Sequence, residues 1–258
     1  MRTARRSAGF SMVELLIAVT LGLVLLLGVT QVYQGYKQSY NQQEGMAELQ
    51  ETARFATQFL VRTVRQAGYR HSPTGTATDV FHTNNAVSTL AVEGTEGAAG
   101  APDTLVIRFQ GSSDGLVVDC QGQAVSSAVP TRIAVNTFSI DTVSNELECL
   151  RQIDDDPDAN DGYEIGAAGT PQPLLSGVTD MQITYGIDST PGDGVMRVNQ
   201  YLDADGIGGA GEPGWDAVVS VQIVLTVQSL DQFLQPDGSR QPLQRTVKTV
   251  VNLRNRLS

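Results

Sequence analysis

Apolar residues fall along this chain in three regimes. From Phe10 to Thr30 they are nearly continuous, with one charge, Glu14, near the start; residues 15 to 30 read LLIAVTLGLVLLLGVT, and nothing from Leu15 to Tyr36 is charged. A helix of that length and composition spans about 30 Å, the depth of a bilayer core. Beyond Thr30 the pattern turns amphipathic. Val32, Tyr33, Tyr36, Tyr40, Met46, Leu49, Ala53, Ala56, Leu60 and Val64 recur mostly at spacings of three or four. No proline follows until Pro73, Gly68 lies just past the last periodic residue, and Arg62 and Arg65 fall where cations suit a helix C-terminus.

This predicts one helix from Phe10 to near Ala67, roughly 87 Å long if unbroken. Its first half, about residues 10–31, is a membrane span, and its second half lays an apolar face on a globular domain. Gly22, Gly28 and Gly35 are points of weakness, since glycine costs about 1 kcal/mol against alanine in a helix. Tyr33, Tyr36 and Tyr40 read as an interfacial belt and packing face.

After Gly68 the period falls to two. Leu105, Ile107 and Phe109 alternate with other residues, as do Met181, Ile183, Tyr185 and Ile187, and the clearest strand carries Val219, Val221, Ile223, Leu225 and Val227. Clusters of Gly, Pro, Asp and Asn separate them. The expectation is an α+β architecture: residues 10–68 as the long helix, and 69–258 as a β-rich domain whose antiparallel sheet packs on the helix's second half.

Charge narrows the function classes. The 28 acids and 17 bases among 258 residues give a net −11, which disfavours nucleic acid as a partner because phosphate binding relies on cationic surface. The bases gather at the ends, with Arg2, Arg5 and Arg6 before the apolar run and Arg240, Arg245, Lys248, Arg254 and Arg256 late in the chain. Arginines ahead of the span and none soon after place the N-terminus in the cytoplasm and the bulk of the chain outside. A small-residue junction, Gly9, precedes the apolar run rather than following it, unlike the cleavage site of a secretory signal.

Candidate chemistry is sparse. His71 and His82 have no Ser, Cys or acid constellation around them, and GxGxxG, Walker and HExxH motifs do not occur, so no enzyme activity and no cofactor are expected. Cys120 and Cys149 lack the local ligands of a zinc site; on the exported side a disulfide between them is the expectation, with unrelated buried thiols as the alternative. Residues 154–164, DDDPDANDGYE, place Asp161 where a calcium loop wants glycine, and read first as a solvated acidic run. Asp203 and Asp205 before Gly206, with Glu212 and Asp216 after, come nearer to a cation loop; short Asp-Gly turns without metal have the same composition, and calcium stays open for both loops.

Gly9-Phe10-Ser11-Met12-Val13-Glu14 resembles the type IV prepilin motif: a basic leader ending in Gly, then Phe, then Glu five positions into the mature chain. The resemblance implies that residues 1–9 are a leader, that a prepilin peptidase cuts between Gly9 and Phe10, and that the new amine on Phe10 is methylated. It also gives Glu14 a task. That carboxylate lies about 6 Å along the helix from the Phe10 amine, so in staggered subunits the acid of one can meet the amine of another.

The segments DTLVIRF, VVDCQG, NTFSI, ELEC, GVTDMQITYGID, WDAVVSVQIVLTV and RTVKTVVNLRNRL resemble the PilW family of type IV pilus minor pilins. Many major pilins carry a helix-breaking proline within the anchor; this chain has none there. The family resemblance implies a minor pilin that primes pilus assembly in a tip-located complex with other minor pilins, the major pilin and a large tip adhesin. It would stand in the inner membrane with its domain in the periplasm, and later in the extracellular pilus. Two alternatives stay open: a J-type pseudopilin of a type II secretion system, and a membrane-anchored binding domain outside any filament.

Overall fold

A single helix, α1 (Met12–Val64), supplies both the apolar run and the amphipathic stretch. The structure is a computed structural model that describes residues 11–70, 91–112, 114–125, 133–154, 169–190, 196–209, 211–235 and 238–255. Up to residue 44 the side chains of α1 are exposed or at most half-buried; Gly45, Leu49, Ala53, Ala56, Leu60, Thr63 and Val64 are buried. The helix gives way to turns at Arg65, close to the expected end.

The domain holds two antiparallel sheets where one was expected. The first comprises β1 (Val92–Thr95), β2 (Thr104–Gln110), β3 (Ile133–Asp141), β4 (Glu146–Asp154) and β5 (Gln172–Ser176), paired in chain order. The second comprises β6 (Val178–Ile187), β7 (Gln200–Leu202), β8 (Val218–Leu234) and β9 (Arg240–Asn252), in the order β7-β6-β8-β9. Only Gly177 separates β5 from β6, so the chain changes sheet at one left-handed glycine with φ +83°.

One core joins the three layers. Leu49, Ala53, Ala56, Leu60 and Val64 of α1 share a buried cluster with Leu105, Ile107 and Phe109 of β2, Phe138 of β3 and the inward row Val221, Ile223, Leu225 and Val227 of β8. Phe59 meets Phe138 edge-on with ring centroids 6.2 Å apart. The alanines at 53 and 56 let the helix approach closely, and alternation along β8 sends every second side chain into that space.

Two features fix the domain at the ends of the packed stretch. At the far end, Gly68 adopts φ +72° with its amide donating to Arg108 O at 2.9 Å, and the Asn255 side chain donates to Arg65 O and Ala67 O at 3.1 and 3.4 Å. A Cβ on Gly68 would overlap the Asn255 carbonyl, so this cap requires glycine twice over. At the near end, β8 continues beyond its pairing with β6, shifts register after Gln228 and runs with β9 alone through Leu234↔Arg240. This projecting hairpin lies on α1: Phe233 covers Gly45, and Gln38 and Gln42 both donate to Leu234 O, at 3.2 and 3.4 Å.

Candidate functional site

Two regions hold the candidate residues named from the sequence: the start of α1, with the features assigned to assembly, and β4 of the first sheet, with the disulfide. Gly9 and Phe10 lie outside the described residues. Ser11 precedes the helix in an extended conformation, and Glu14 stands in its first turn, exposed and with no hydrogen-bond or ion-pair partner among the described residues. Around it Met12, Val13, Leu15, Leu16 and Ile17 are exposed as well. Among the described residues, the domain does not reach this part of the helix.

The helix is long and apolar enough to cross a membrane. Among the described residues nothing covers its apolar half, which in water would leave a continuous greasy surface; a lipid environment removes that cost. Tyr33, Tyr36 and Tyr40 are exposed at 67%, 74% and 66%, so they serve no packing against this chain's own domain. The packing face expected from Val32 onward begins only at Gly45.

Cys120 and Cys149 are bonded, with Cα atoms 6.4 Å apart across 29 positions of chain. Cys120 lies in the turn between the bridged residues Val118 and Ala124, and Cys149 lies inside β4. Asp119 organises that turn. Its Oδ1 accepts the amides of Gln121 and Gln123, both at 2.9 Å, while its Oδ2 pairs with Arg151 Nε. Gln121 donates to Cys149 O at 3.1 Å. Disulfide, ion pair and amide contact together fasten the turn to β4.

The Asp203-Asp205 loop is a short 3-10 turn, Ala204–Gly206. Opposite it stands Glu96, whose carboxyl accepts the Ala204 amide and is held above the usual carboxylate range, first by burial and then by Asp103, Asp203 and Asp205. Asp103 is buried and already accepts the amides of Gly97 and Ile183, at 2.8 and 2.7 Å. The Tyr185 hydroxyl, buried beneath, is likewise pushed up, first by burial and then by Asp103. Among the described residues no three acids, histidines or cysteines come together as a metal site. The acidic run that follows Asp154, together with His71 and His82, lies outside the described residues.

Comparison with known families fits this geometry. Residues 4–30 match the prokaryotic N-terminal methylation motif, and residues 137–255, from within β3 through β9, match Type IV Pilus-assembly protein W. A methylation motif leading into a long half-bare, half-packed helix on antiparallel sheets defines a type IV pilin-like protein. Within that class, residues 137–255 are similar to the PilW family, proteins of type IV pilus assembly. Comparisons with curated proteins and with solved structures gave no match.

Proposed function

We propose that this protein is a minor pilin that primes type IV pilus growth as one member of a small complex at the pilus tip. Glu14 carries the reading: it is an acid placed on an otherwise bare apolar helix, four residues from the residue that leader cleavage would expose as an amine. Similarity of residues 137–255 to the PilW family supports a role in pilus assembly. The sequence of events follows from the chain's own groups. The arginine-containing leader holds topology, the peptidase removes residues 1–9, the Phe10 amine and Glu14 of neighbouring subunits pair at low dielectric, and the β-domain selects neighbours.

A strain producing Glu14→Ala at normal level tests this. Leader cleavage and insertion should be retained, because removing a carboxylate eases placement in lipid. Piliation and co-purification with other minor pilins should be lost, since an unpaired buried amine costs a few kcal/mol. Full piliation with all partners recovered would overturn the docking role. Co-purification of the unaltered chain with secretion pseudopilins instead of pilus subunits would move it to a type II secretion machine.

A further inference from the structure

The projecting β8–β9 hairpin and α1 frame an open cavity of about 320 Å³ lined by Gln34, Lys37, Gln38, Asn41, Gln232, Phe233, Leu234 and Arg240. On a chain of net charge −11, none of these residues is acidic, two are cations and four are amides. The neighbouring cavity, farther along α1, is lined by Glu44, Glu48 and Asp231 and shares Arg240. The two cavities therefore differ in charge: the one nearer the apolar half is lined by cations and amides, and the one farther along adds three acids. We infer that the Lys37-Arg240 cavity binds the phosphate of an anionic phospholipid headgroup while the protein stands in the membrane.

Depth selects this occupant. The span ends near residue 31, and at 1.5 Å per residue Gln34 and Lys37 lie about 4.5 and 9 Å beyond it. A headgroup layer is about 5–8 Å thick. Helical side chains lean toward the N-terminus, and lysine extends its charge along an apolar stem, so the Lys37 ammonium reaches back into that layer. Arg240 approaches from the hairpin with a planar donor fork suited to phosphate oxygens. Tyr33, Tyr36 and Tyr40, exposed on the same turns of helix, sit at the level where aromatic residues favour the interface. Phe233 on Gly45 and the two glutamine bonds to Leu234 O hold the hairpin against α1, so the two elements that carry the cations are already together before a ligand arrives. The inference rests on the membrane-anchored reading of α1.

The test uses the full chain in detergent micelles, with native mass spectrometry counting bound short-chain phosphatidylglycerol, phosphatidylcholine or inorganic phosphate. Phosphatidylglycerol should bind at least tenfold better than phosphatidylcholine. The double variant Lys37→Gln/Arg240→Gln should weaken it by about thirtyfold, near 1 kcal/mol per cation. The pair Lys37→Arg/Arg240→Lys should retain binding, and Arg62→Gln, remote from the cavity, should change nothing. Equal binding by parent and double variant, or equal occupancy by inorganic phosphate, would overturn the headgroup site. Alkaline washing of proteoliposomes separates this from the anchor: a chain that washes off overturns the anchor reading and the site with it, whereas a retained chain without lipid preference overturns the site alone.

Discussion

The ring of Phe233 lies on Gly45 so closely that a Cβ at that position would overlap it, although the two residues stand on different elements. Glycine inside a helix costs about 1 kcal/mol against alanine, and here that cost makes room for the hairpin. Gly45→Ala should therefore leave global stability within about 1 kcal/mol, the helix gain offsetting the overlap. The local effect should be larger: amides of residues 232–235 lose hydrogen-exchange protection. In Phe233→Ala the added substitution Gly45→Ala should stabilise outright, and a double-mutant cycle giving no coupling would disprove the contact's role.

Removing the disulfide by Cys120→Ser/Cys149→Ser should cost about 3.5 kcal/mol by loop entropy for a closure of this length. Denaturant unfolding under nonreducing conditions measures it. Asp119 and Arg151 still tie the turn to β4, so the fold should survive at ambient temperature, and free thiols in the native parent protein would contradict the bond.

Glu96 makes stability depend on pH. Its folded pKa lies above the ordinary value, so the native state binds more protons than the unfolded one, and its contribution falls as pH rises from the ordinary carboxylate range through the raised value. Glu96→Gln keeps an acceptor for the Ala204 amide and removes the charge. The variant should melt higher than the parent at pH 7, with the advantage shrinking toward pH 4. A difference independent of pH would argue against the burial and the acidic neighbours as its cause.

Within α1 the two halves should respond oppositely. Leu60 is fully buried, and Leu60→Ala should cost about 2–5 kcal/mol, whereas Tyr36→Ala, 74% exposed at the parent residue, should change melting by little. Thermal unfolding of both in the same detergent checks the boundary at Gly45.

That boundary marks how far the sequence could be read. Periodicity reports that a face is apolar, not what covers it; Tyr36 and Leu60 lie on the same helical pattern, yet only Leu60 meets the domain. The strands around Ile183 and Ile223 were legible because alternation is local. Their division into two sheets was not, since it depends on Gly177 turning the chain and on pairings such as Ile183↔Ile223, forty positions apart. Cys120 and Cys149 were recognisable as a pair through redox compartment, but their setting depends on the Asp119 turn, which has no periodic signature. The Lys37-Arg240 cavity was hidden for the same reason: its two cations are about two hundred residues apart and meet only when the hairpin lies down on the helix.

The latch from Asn255 to the carbonyls of Arg65 and Ala67 joins positions 190 and 188 apart. Residues 240–255 leave the ribosome after every other described element, and they supply both the edge strand over α1 and the cap on its end. The core around Leu60 and Val64, begun by β2, β3 and β8, is therefore completed only when translation delivers β9. Long-range closure of this kind is slow compared with local pairing. Closure of the domain thus waits on its last strand, and a chain that stops anywhere before β9 lacks both the edge strand and the cap on α1.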